Sequence, residues 1–234
     1  MSLDIKYEPK TMADVVYQDN NAQNVITHFL AVGSLCVPGN LLLHGPFGTG
    51  KSITARVSAD DLLEGTYRYN AKDFSGSKFK TSGQVNDAIS NFASYCALGA
   101  KYRVVIIDEL DAMSDIAQVE LRFQMDCVKK MCAFIFTTNN ISKVDGAIQS
   151  RCRVLYYGPA NPVRWVPRAQ MIMSSEGVSI TAGELLPVLQ GSGGDIRMMF
   201  QNMEVIIQAH KQASLIASSV PPVPPTPSSP AMAA

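Results

Sequence analysis

The stretch that decides the fold is Gly45-Pro46-Phe47-Gly48-Thr49-Gly50-Lys51-Ser52. It follows the apolar run Leu41–Leu43 and precedes a helix-like run from Ile53 to Leu63. This is the pattern G-x-x-x-x-G-K-[ST] in the setting it requires, a strand, a loop and a helix. The alternative is a glycine-rich surface turn before an ordinary helix, which the register of the lysine and serine and the two correct flanks disfavour.

Each part of this loop has a physical reason to bind a triphosphate. Glycines let the backbone curl so that successive N–H groups point at an anion. The following helix directs its positive N-terminal end at the same phosphates. Lys51 can reach the β- and γ-phosphates, and the Ser52 hydroxyl can bind Mg²⁺. The loop therefore predicts a nucleoside triphosphate and Mg²⁺ as ligands.

A second chemical landmark is Val104-Val105-Ile106-Ile107-Asp108-Glu109. Four consecutive β-prone apolar residues predict a central strand of a parallel sheet, buried on both faces. The two acids then stand at the edge where open α/β sheets bind ligands. Asp108 is predicted to hold Mg²⁺ through its water shell, and Glu109 to polarise the attacking water. Acids that only favour a helix's first turn are the alternative.

Two further polar residues are candidates for the same site. Asn139 ends the apolar run that begins at Ala133, and its amide can align the water beside Glu109; an asparagine that only favours a turn is the alternative. Arg197 falls in the first turn of a helix capped by Asp195, where a cation opposes the helix dipole. This local cost suggests that Arg197 reaches a phosphate, the alternative being a plain surface arginine.

Composition sets wider limits on the function. The chain has 234 residues, is 47% hydrophobic and balances 20 basic against 20 acidic side chains, so net charge gives no sign of nucleic-acid binding. Five cysteines, an odd number without a C-x-x-C pair, argue against a disulfide framework and a zinc site. A polar N-terminus and the lack of a ~20-residue apolar run lead us to expect a soluble intracellular protein.

The chain divides by composition into three parts. Pro159 and Pro162 mark a boundary between a nucleotide-binding core at residues 1–160 and an all-helical lid at 161–213. A tail at 214–234 has six prolines among residues 221–230 and is expected to be disordered. In the core, strands are predicted at Leu41–Leu43, Tyr67–Tyr69, 133–139 and 154–157. Helices are predicted from an Asp19 or Asn20 cap to about Val32, from Ile53 to Leu63, from Gln84 to Leu98, from Ile116 to Lys130 and from Asp145 to Ser150. The segment 4–19 is predicted to be extended, and Asn70 to Gly83 to be a loop.

Together these motifs resemble the AAA+ ATPase subunits of sliding-clamp loaders, the replication factor C small subunit and its bacteriophage counterparts. The resemblance covers about residues 4–212 and rests on the phosphate loop, Ile-Ile-Asp-Glu-Leu-Asp at 106–111, the Thr-Asn strand tip, Gln149-Ser150-Arg151-Cys152, Gly194-Asp195-Ile196-Arg197 and Lys6-Tyr7-x-Pro9. Three departures stand out: Glu8 replaces an arginine, Leu110 replaces an alanine, and no helical collar domain follows Gln212.

The resemblance implies a fold and a set of roles. The fold would be an α/β P-loop AAA+ core with a parallel five-stranded sheet flanked by helices, followed by a small all-helical lid. Asn139 would be the first sensor, Arg197 the second sensor, and Arg151 the finger inserted into the ATP site of a neighbouring subunit. The implied ATP-binding residues are the loop 45–52 with Ile53, and Tyr7, Pro9, Val15 and Val16 around the adenine. Lys78, Lys80 and the helix starting near Ser114 would face DNA, although loop lysines usually face only water.

The function implied is that of an ATPase subunit that opens a sliding clamp and loads it on primer–template DNA during replication. Its partners would be the clamp, other clamp-loader subunits and DNA, in an oligomeric ring or spiral, with a monomer as the alternative for a chain without a collar. It would work in a bacterial or phage-infected cytoplasm, or in a eukaryotic nucleus. The alternatives are another AAA+ DNA-remodelling ATPase, such as a helicase loader or branch-migration motor, and a non-hydrolysing nucleotide-binding scaffold.

Overall fold

A computed structural model describes residues 2–219 of the chain. Its centre is a five-stranded, wholly parallel sheet in the order β2-β3-β4-β1-β5, as the predicted fold requires. The strands are β1 Asn40–His44, β2 Ala71–Ser75, β3 Arg103–Asp108, β4 Cys132–Thr138 and β5 Arg153–Tyr156. The helices are α1 Leu3–Lys6, α2 Asn20–Gly33, α3 Lys51–Leu62, α4 Tyr67–Asn70, α5 Ser82–Ala93, α6 Asp115–Val128, α7 Gly146–Gln149, α8 Pro162–Ser175, α9 Ala182–Gln190 and α10 Ile196–Ser219.

Two apolar layers cover the two faces of the sheet, because successive side chains of a strand point to opposite faces. Val105 and Ile107 of β3 pack into the layer that contains α5 and α6. Val104 and Ile106 of the same strand pack into the layer that contains α2 and α3. Burial on both faces explains why the strand is apolar at all four positions from Val104 to Ile107 rather than at every second one.

The second strand lies one element later than predicted. Tyr67–Tyr69 forms the helix α4, and the strand β2 occupies residues that were predicted as loop. β2 is an edge strand whose Lys72 and Asp73 are exposed, so it lacks the apolar signature of a central strand. Backbone pairing with β3, Lys72 beside Val105, is what makes it a strand, and no side-chain pattern reports that pairing.

Two other expectations about the core need correction. The segment 4–19 is not extended throughout, since it contains α1 and a 3₁₀ turn at Met12–Asp14. The helix predicted to end at Leu98 ends at Ala93. The guanidinium of Arg103 donates to the carbonyl oxygens of Phe92 and Cys96, at 2.6 and 2.9 Å, so it binds the carbonyls left free where the helix stops.

The lid consists of helices, as predicted, and has an apolar core of its own. Trp165, Leu185, Met199 and Phe200 contribute to this core, and so does Leu3 from the N-terminal segment. Asp195 caps α10 by accepting from the backbone N–H of Arg197 at 2.8 Å. α10 runs to Ser219, seven residues beyond the predicted end, so only the part of the predicted tail from residue 220 lies outside the described residues. The proposed domain boundaries stay a prediction.

Within residues 2–219, no helix combines the length and the apolar character that crossing a bilayer requires.

Candidate nucleotide-binding site

The predicted phosphate-binding residues from Phe47 to Ile53 line one cavity at the carboxyl edge of the sheet, whereas Gly45 and Pro46 are not part of its lining. The loop 45–52 follows β1, Asp108 ends β3, and Asn139 follows β4, so three parallel strands deliver their polar ends to the same place. The cavity measures about 160 Å³. Its lining comprises Phe47, Gly48, Thr49, Gly50, Lys51, Ser52, Ile53, Asp108, Glu109, Thr137, Asn139 and Arg197.

The phosphate loop depends on glycine and is bound directly to the lid. Gly48 and Gly50 have φ values of +73° and +88°, a region that side-chain-bearing residues seldom adopt. A Cβ at Gly48 would lie 2.2 Å from the carboxyl group of Asp195. The carbonyl oxygen of Gly48 accepts a hydrogen bond from the Ile196 N–H at 2.8 Å. The loop and the first turn of α10 therefore hold each other in place, a contact that no motif in the sequence indicates.

Lys51 is held at the mouth of the loop. Its side chain crosses the loop, and Nζ donates to the carbonyl oxygens of Gly45 and Pro46, at 2.9 and 2.6 Å. The residue is only 6% exposed, and burial lowers the pKa of its ammonium to about 8, against the opposing attraction of Asp108 and Asp111. A buried ammonium that lacks full compensation is suited to receive an anionic phosphate.

Ser52 and Asp108 form an oxygen pair suited to Mg²⁺. Ser52 Oγ donates to Asp108 Oδ1 at 2.7 Å, and the Thr137 hydroxyl donates to the same carboxylate oxygen. A hydroxyl and a carboxylate are oxygen ligands of the kind that Mg²⁺ uses next to substrate phosphates. The residues present therefore fit the predicted ion, and Thr137 orients the carboxylate.

Glu109 lines the cavity from a strained position. Its φ and ψ of 56° and 54° are left-handed values, which are uncommon outside glycine and are often found at functional sites. Its N–H donates to Thr137 Oγ1 at 3.2 Å. A Cβ at Gly76 would lie 2.3 Å from the Glu109 carbonyl oxygen, so the strand-end loop after β2 packs tightly on this residue. Sequence reasoning did not assign a role to Gly76.

Asn139 reaches the cavity because Asp111 fixes the strand tip before it. Asp111 Oδ1 accepts from Thr138 Oγ1 at 2.8 Å and from the Asn139 N–H at 3.3 Å. The motif at 106–111 does not indicate this anchoring contact of Asp111, which only the structure shows. Asn139 thereby lines the same cavity as Glu109.

A second cavity, of about 350 Å³, continues the first and is more apolar. The two share Thr49, Gly50 and Arg197, among others, and so form one groove with a phosphate end and a base end. Pro9, Val15 and Val16, which are predicted to surround the adenine, line the base end. The apolar lining that sequence reasoning missed consists of Ile5, Tyr157, Trp165, Ile196 and Phe200.

Tyr7 lies against the lid. Its hydroxyl donates to Glu176 Oε1 at 3.0 Å, and its ring packs on the lid core. Among the described residues that line the base end, its neighbours Glu8 and Pro9 are present and Tyr7 is not. Nothing in the local sequence indicates that Tyr7 binds Glu176 of the lid instead of lining the base end.

Arg151 lies at the opposite end of the sheet from the phosphate loop. Its carbonyl accepts from the side chain of Asn40, the first residue of β1, whereas the phosphate loop follows the last. Five residues of β-strand separate these points by roughly 13 Å. The guanidinium is exposed and makes a two-pronged ion pair with Asp126, at 3.0 and 2.8 Å. The structure thus keeps Arg151 apart from the residues of its own cavity.

The residues predicted to face DNA form a cluster. Lys78 and Lys80 are exposed in the loop after β2, and Lys80 Nζ donates to the Ala112 carbonyl at 2.8 Å. Ser114 Oγ donates to the Lys80 carbonyl at 2.8 Å and caps α6 by accepting from the Ala117 N–H. Two lysines and one helix N-terminus thus stand side by side.

Comparison with known proteins identifies the family. Residues 41–160 match the AAA family, described as the ATPase family associated with various cellular activities. The chain belongs to this AAA family. Membership implies nucleotide binding, typically with Mg²⁺.

Similar proteins with curated names are replication factor C subunits. The chain is 35% identical over 193 residues to the replication factor C small subunit of Archaeoglobus fulgidus, covering 82% of this chain and 59% of that one. It is 32% identical over 201 residues to replication factor C subunit 5 of Mus musculus, covering 82% and 56%. The chain thus spans less than two thirds of the length of these relatives.

A solved structure confirms the fold. The Thermotoga maritima RuvB Holliday junction branch migration motor superposes with a TM-score of 0.72, covering 90% of this chain and 67% of that one. At 16% sequence identity, this likeness concerns the fold alone.

Proposed function

We propose that this chain is an ATPase subunit of a DNA polymerase sliding-clamp loader, which uses ATP binding and hydrolysis to open the clamp and load it on primer–template DNA. The observation that carries the proposal is one groove that combines the phosphate loop, two acids, a polar strand tip and a lid arginine, with Arg151 at the other end of the sheet. The similarity to replication factor C subunits supports the same conclusion. The site of action is the bacterial or phage-infected cytoplasm, or the eukaryotic nucleus.

The groove binds ATP in an extended pose. The triphosphate lies on the loop 45–52, the adenine lies between the apolar walls at Pro9, Val15 and Val16, and Arg197 contacts the γ-phosphate from the lid. Ser52 and Asp108 would hold Mg²⁺, which would supply positive charge next to the phosphates.

Hydrolysis uses Glu109 as the base. Its carboxylate takes a proton from water as the water oxygen bonds to the γ-phosphorus and the bond to the β-bridging oxygen breaks, leaving ADP and phosphate. Asn139 aligns that water and links the γ-phosphate to the end of β4. Positioning and charge stabilisation supply most of the acceleration in such phosphoryl transfers.

Arg151 completes the site of a neighbouring subunit. It cannot serve its own groove from the opposite end of the sheet, so it acts in an oligomer. A finger arginine supplied in this way accelerates hydrolysis by about 10³–10⁵-fold in GTPases. The neighbouring chains are other clamp-loader subunits.

Lys78, Lys80 and the N-terminus of α6 bind phosphates of the primer–template duplex. Such contacts position a protein on DNA without reading its sequence, which suits a loader that acts at any primed site. Gly76, at the start of the loop that carries Lys78 and Lys80, packs closely on the Glu109 carbonyl. A shift of this loop on binding DNA therefore changes the position of Glu109.

The test is ATP hydrolysis by the complete complex, purified from its own cell, with and without its clamp and primed DNA. We expect stimulation only when both are added, and no stimulation from unprimed single strands. A complex that hydrolyses ATP at one rate under all these conditions would overturn the clamp-loading proposal. Capture of a helicase instead of a clamp would replace it with a helicase-loading function, and ATP binding without turnover would indicate a nucleotide-binding scaffold.

A further inference from the structure

The base end of the groove has one wall that belongs to the N-terminal segment. Asp4, Ile5, Glu8 and Pro9 line this wall. The rest of the lining comes from the core, through Val15, Val16 and the phosphate loop, and from the lid, through Trp165, Ile196 and Phe200. The groove can therefore enclose a base only while the N-terminal segment is held in position. What holds this segment decides how firmly the base is bound.

The N-terminal segment is bound to the lid. Lys6 Nζ lies 2.5 Å from Glu176 Oε1, and the Tyr7 hydroxyl donates to the same oxygen at 3.0 Å. The Leu3 N–H donates to Glu204 Oε1 at 2.6 Å, and the Leu3 side chain is buried in the lid core. Glu176 follows α8, and Glu204 lies in α10, so both acceptors belong to the lid.

Glu176 is the centre of this attachment. Besides Lys6 and Tyr7, it accepts from Lys211 Nζ at 3.2 Å, so it joins α10 and the N-terminal segment to the end of α8. Its side chain is only 10% exposed although both lysines are largely exposed. These hydrogen bonds, the one from Lys6 first, lower the pKa of Glu176 to about 2, so the carboxylate is ionised at any working pH. Hydrogen bonds to a charged group are stronger than neutral ones.

The same lid helix closes the phosphate end of the groove. α10 carries Arg197 in its first turn, and Glu204 and Lys211 further along. α10 therefore carries both the arginine predicted to contact the γ-phosphate and two residues that help to hold the N-terminal wall, Glu204 directly and Lys211 through Glu176. A second lid contact reinforces this arrangement, because Arg168 of α8 pairs with Asp14 at 2.9 Å.

We propose that Glu176 is a positioning residue for nucleotide binding: it fixes the N-terminal wall to the lid, so that the base and the γ-phosphate are enclosed by one moving unit. The inference rests on the proposed binding of ATP in this groove. Glu176 then favours the binding of a nucleotide over that of a polyphosphate without a base, although its carboxylate lines neither end of the groove.

The test compares two ligands by calorimetry on the full chain, Mg²⁺-ATP and Mg²⁺-tripolyphosphate, which has phosphates and no base. For Glu176→Gln we expect ATP affinity to fall about tenfold, the worth of one charge-assisted hydrogen bond, with tripolyphosphate affinity unchanged. Glu184→Gln is the matched control, because Glu184 is a lid carboxylate whose hydrogen-bond partner among the described residues is Thr181, in its own helix cap. The control should alter neither affinity.

Equal losses for both ligands would overturn the proposal, since they indicate a general effect on folding, and so would an unchanged ATP affinity. If Glu176→Gln does not fold, Lys6→Met is used, because it leaves Glu176 paired with Lys211 and Tyr7. This variant should lose ATP affinity by about threefold and keep tripolyphosphate affinity, since one of the three partners is removed. A wild-type chain that binds no ATP would instead contradict the proposed function itself.

Discussion

The two ends of the groove differ in how the chain builds them. The phosphate end comes from three short motifs, at 45–52, 108–109 and 139, each at the end of a parallel strand. The base end gathers single apolar residues from the N-terminal segment, the end of β5 and two lid helices. Chemistry that needs particular atoms at particular distances leaves a motif in the sequence, whereas an apolar enclosure can be made by many residues and leaves none.

The largest expected effect belongs to the phosphate end. In Glu109→Gln the side chain keeps its size but no longer takes a proton from water, so the hydrolysis rate of the assembled complex should fall about 10²–10⁴-fold. ATP affinity, measured by calorimetry, should stay within about twofold because the phosphate loop is intact. Equal losses of binding and hydrolysis would show that Glu109 shapes the groove rather than acts on water.

The second prediction concerns Arg151, which lies at the opposite end of the sheet from the groove. Arg151→Ala should lower hydrolysis by about 10³-fold in the assembled complex, the lower end of the range for a finger arginine. ATP affinity of the isolated chain should not change, and neither should its melting temperature, because an exposed ion pair such as that with Asp126 contributes little to stability. A loss of ATP affinity in the isolated chain would place Arg151 in its own site.

A third effect concerns pH and is specific to the phosphate end. Burial lowers the pKa of Lys51 to about 8 in the free protein, so the ammonium that a triphosphate requires is lost as pH rises above 8. Affinity for tripolyphosphate should therefore fall about fivefold between pH 8 and pH 9, because the ammonium fraction drops from about one half to about one eleventh. Titration calorimetry at both values measures it, with Lys51→Arg as the control that keeps its charge. A flat profile in the wild type would show that Lys51 is not required as an ammonium.

The smallest expected effect is a loss of ATP affinity from a substitution at the base end. Ile5 lines the base end but is 58% exposed, so Ile5→Ser should leave stability unchanged. It should weaken ATP binding about threefold by removing part of the apolar wall, without changing tripolyphosphate binding. Leu35→Ser, at a residue 79% exposed in the segment after α2, is the matched control. An effect of the control equal to that of Ile5→Ser would contradict a base end at this wall.

The same division explains what the sequence could predict. The central strands were predictable because the middles of β3 and β4 are buried on both faces and form unbroken apolar runs, at 104–107 and 132–136. The edge strand β2 was not, because Lys72 and Asp73 face solvent and only backbone pairing defines it. Similarly, Lys51, Asp108 and Asn139 were found from their motifs. The contact between Gly48 and Ile196, and that between Tyr7 and Glu176, join residues far apart in the chain and depend on how the lid sits.

The central claim is that each chain holds ATP in its own groove and contributes Arg151 elsewhere. Calorimetric titration of Mg²⁺-ATP into isolated wild-type, Lys51→Ala and Arg151→Ala chains tests it most directly. We predict one ATP per chain with the same affinity for wild type and Arg151→Ala, and no measurable binding for Lys51→Ala, because the phosphate loop then lacks its only ammonium. Binding that survives Lys51→Ala, or that is lost in Arg151→Ala, would contradict the account.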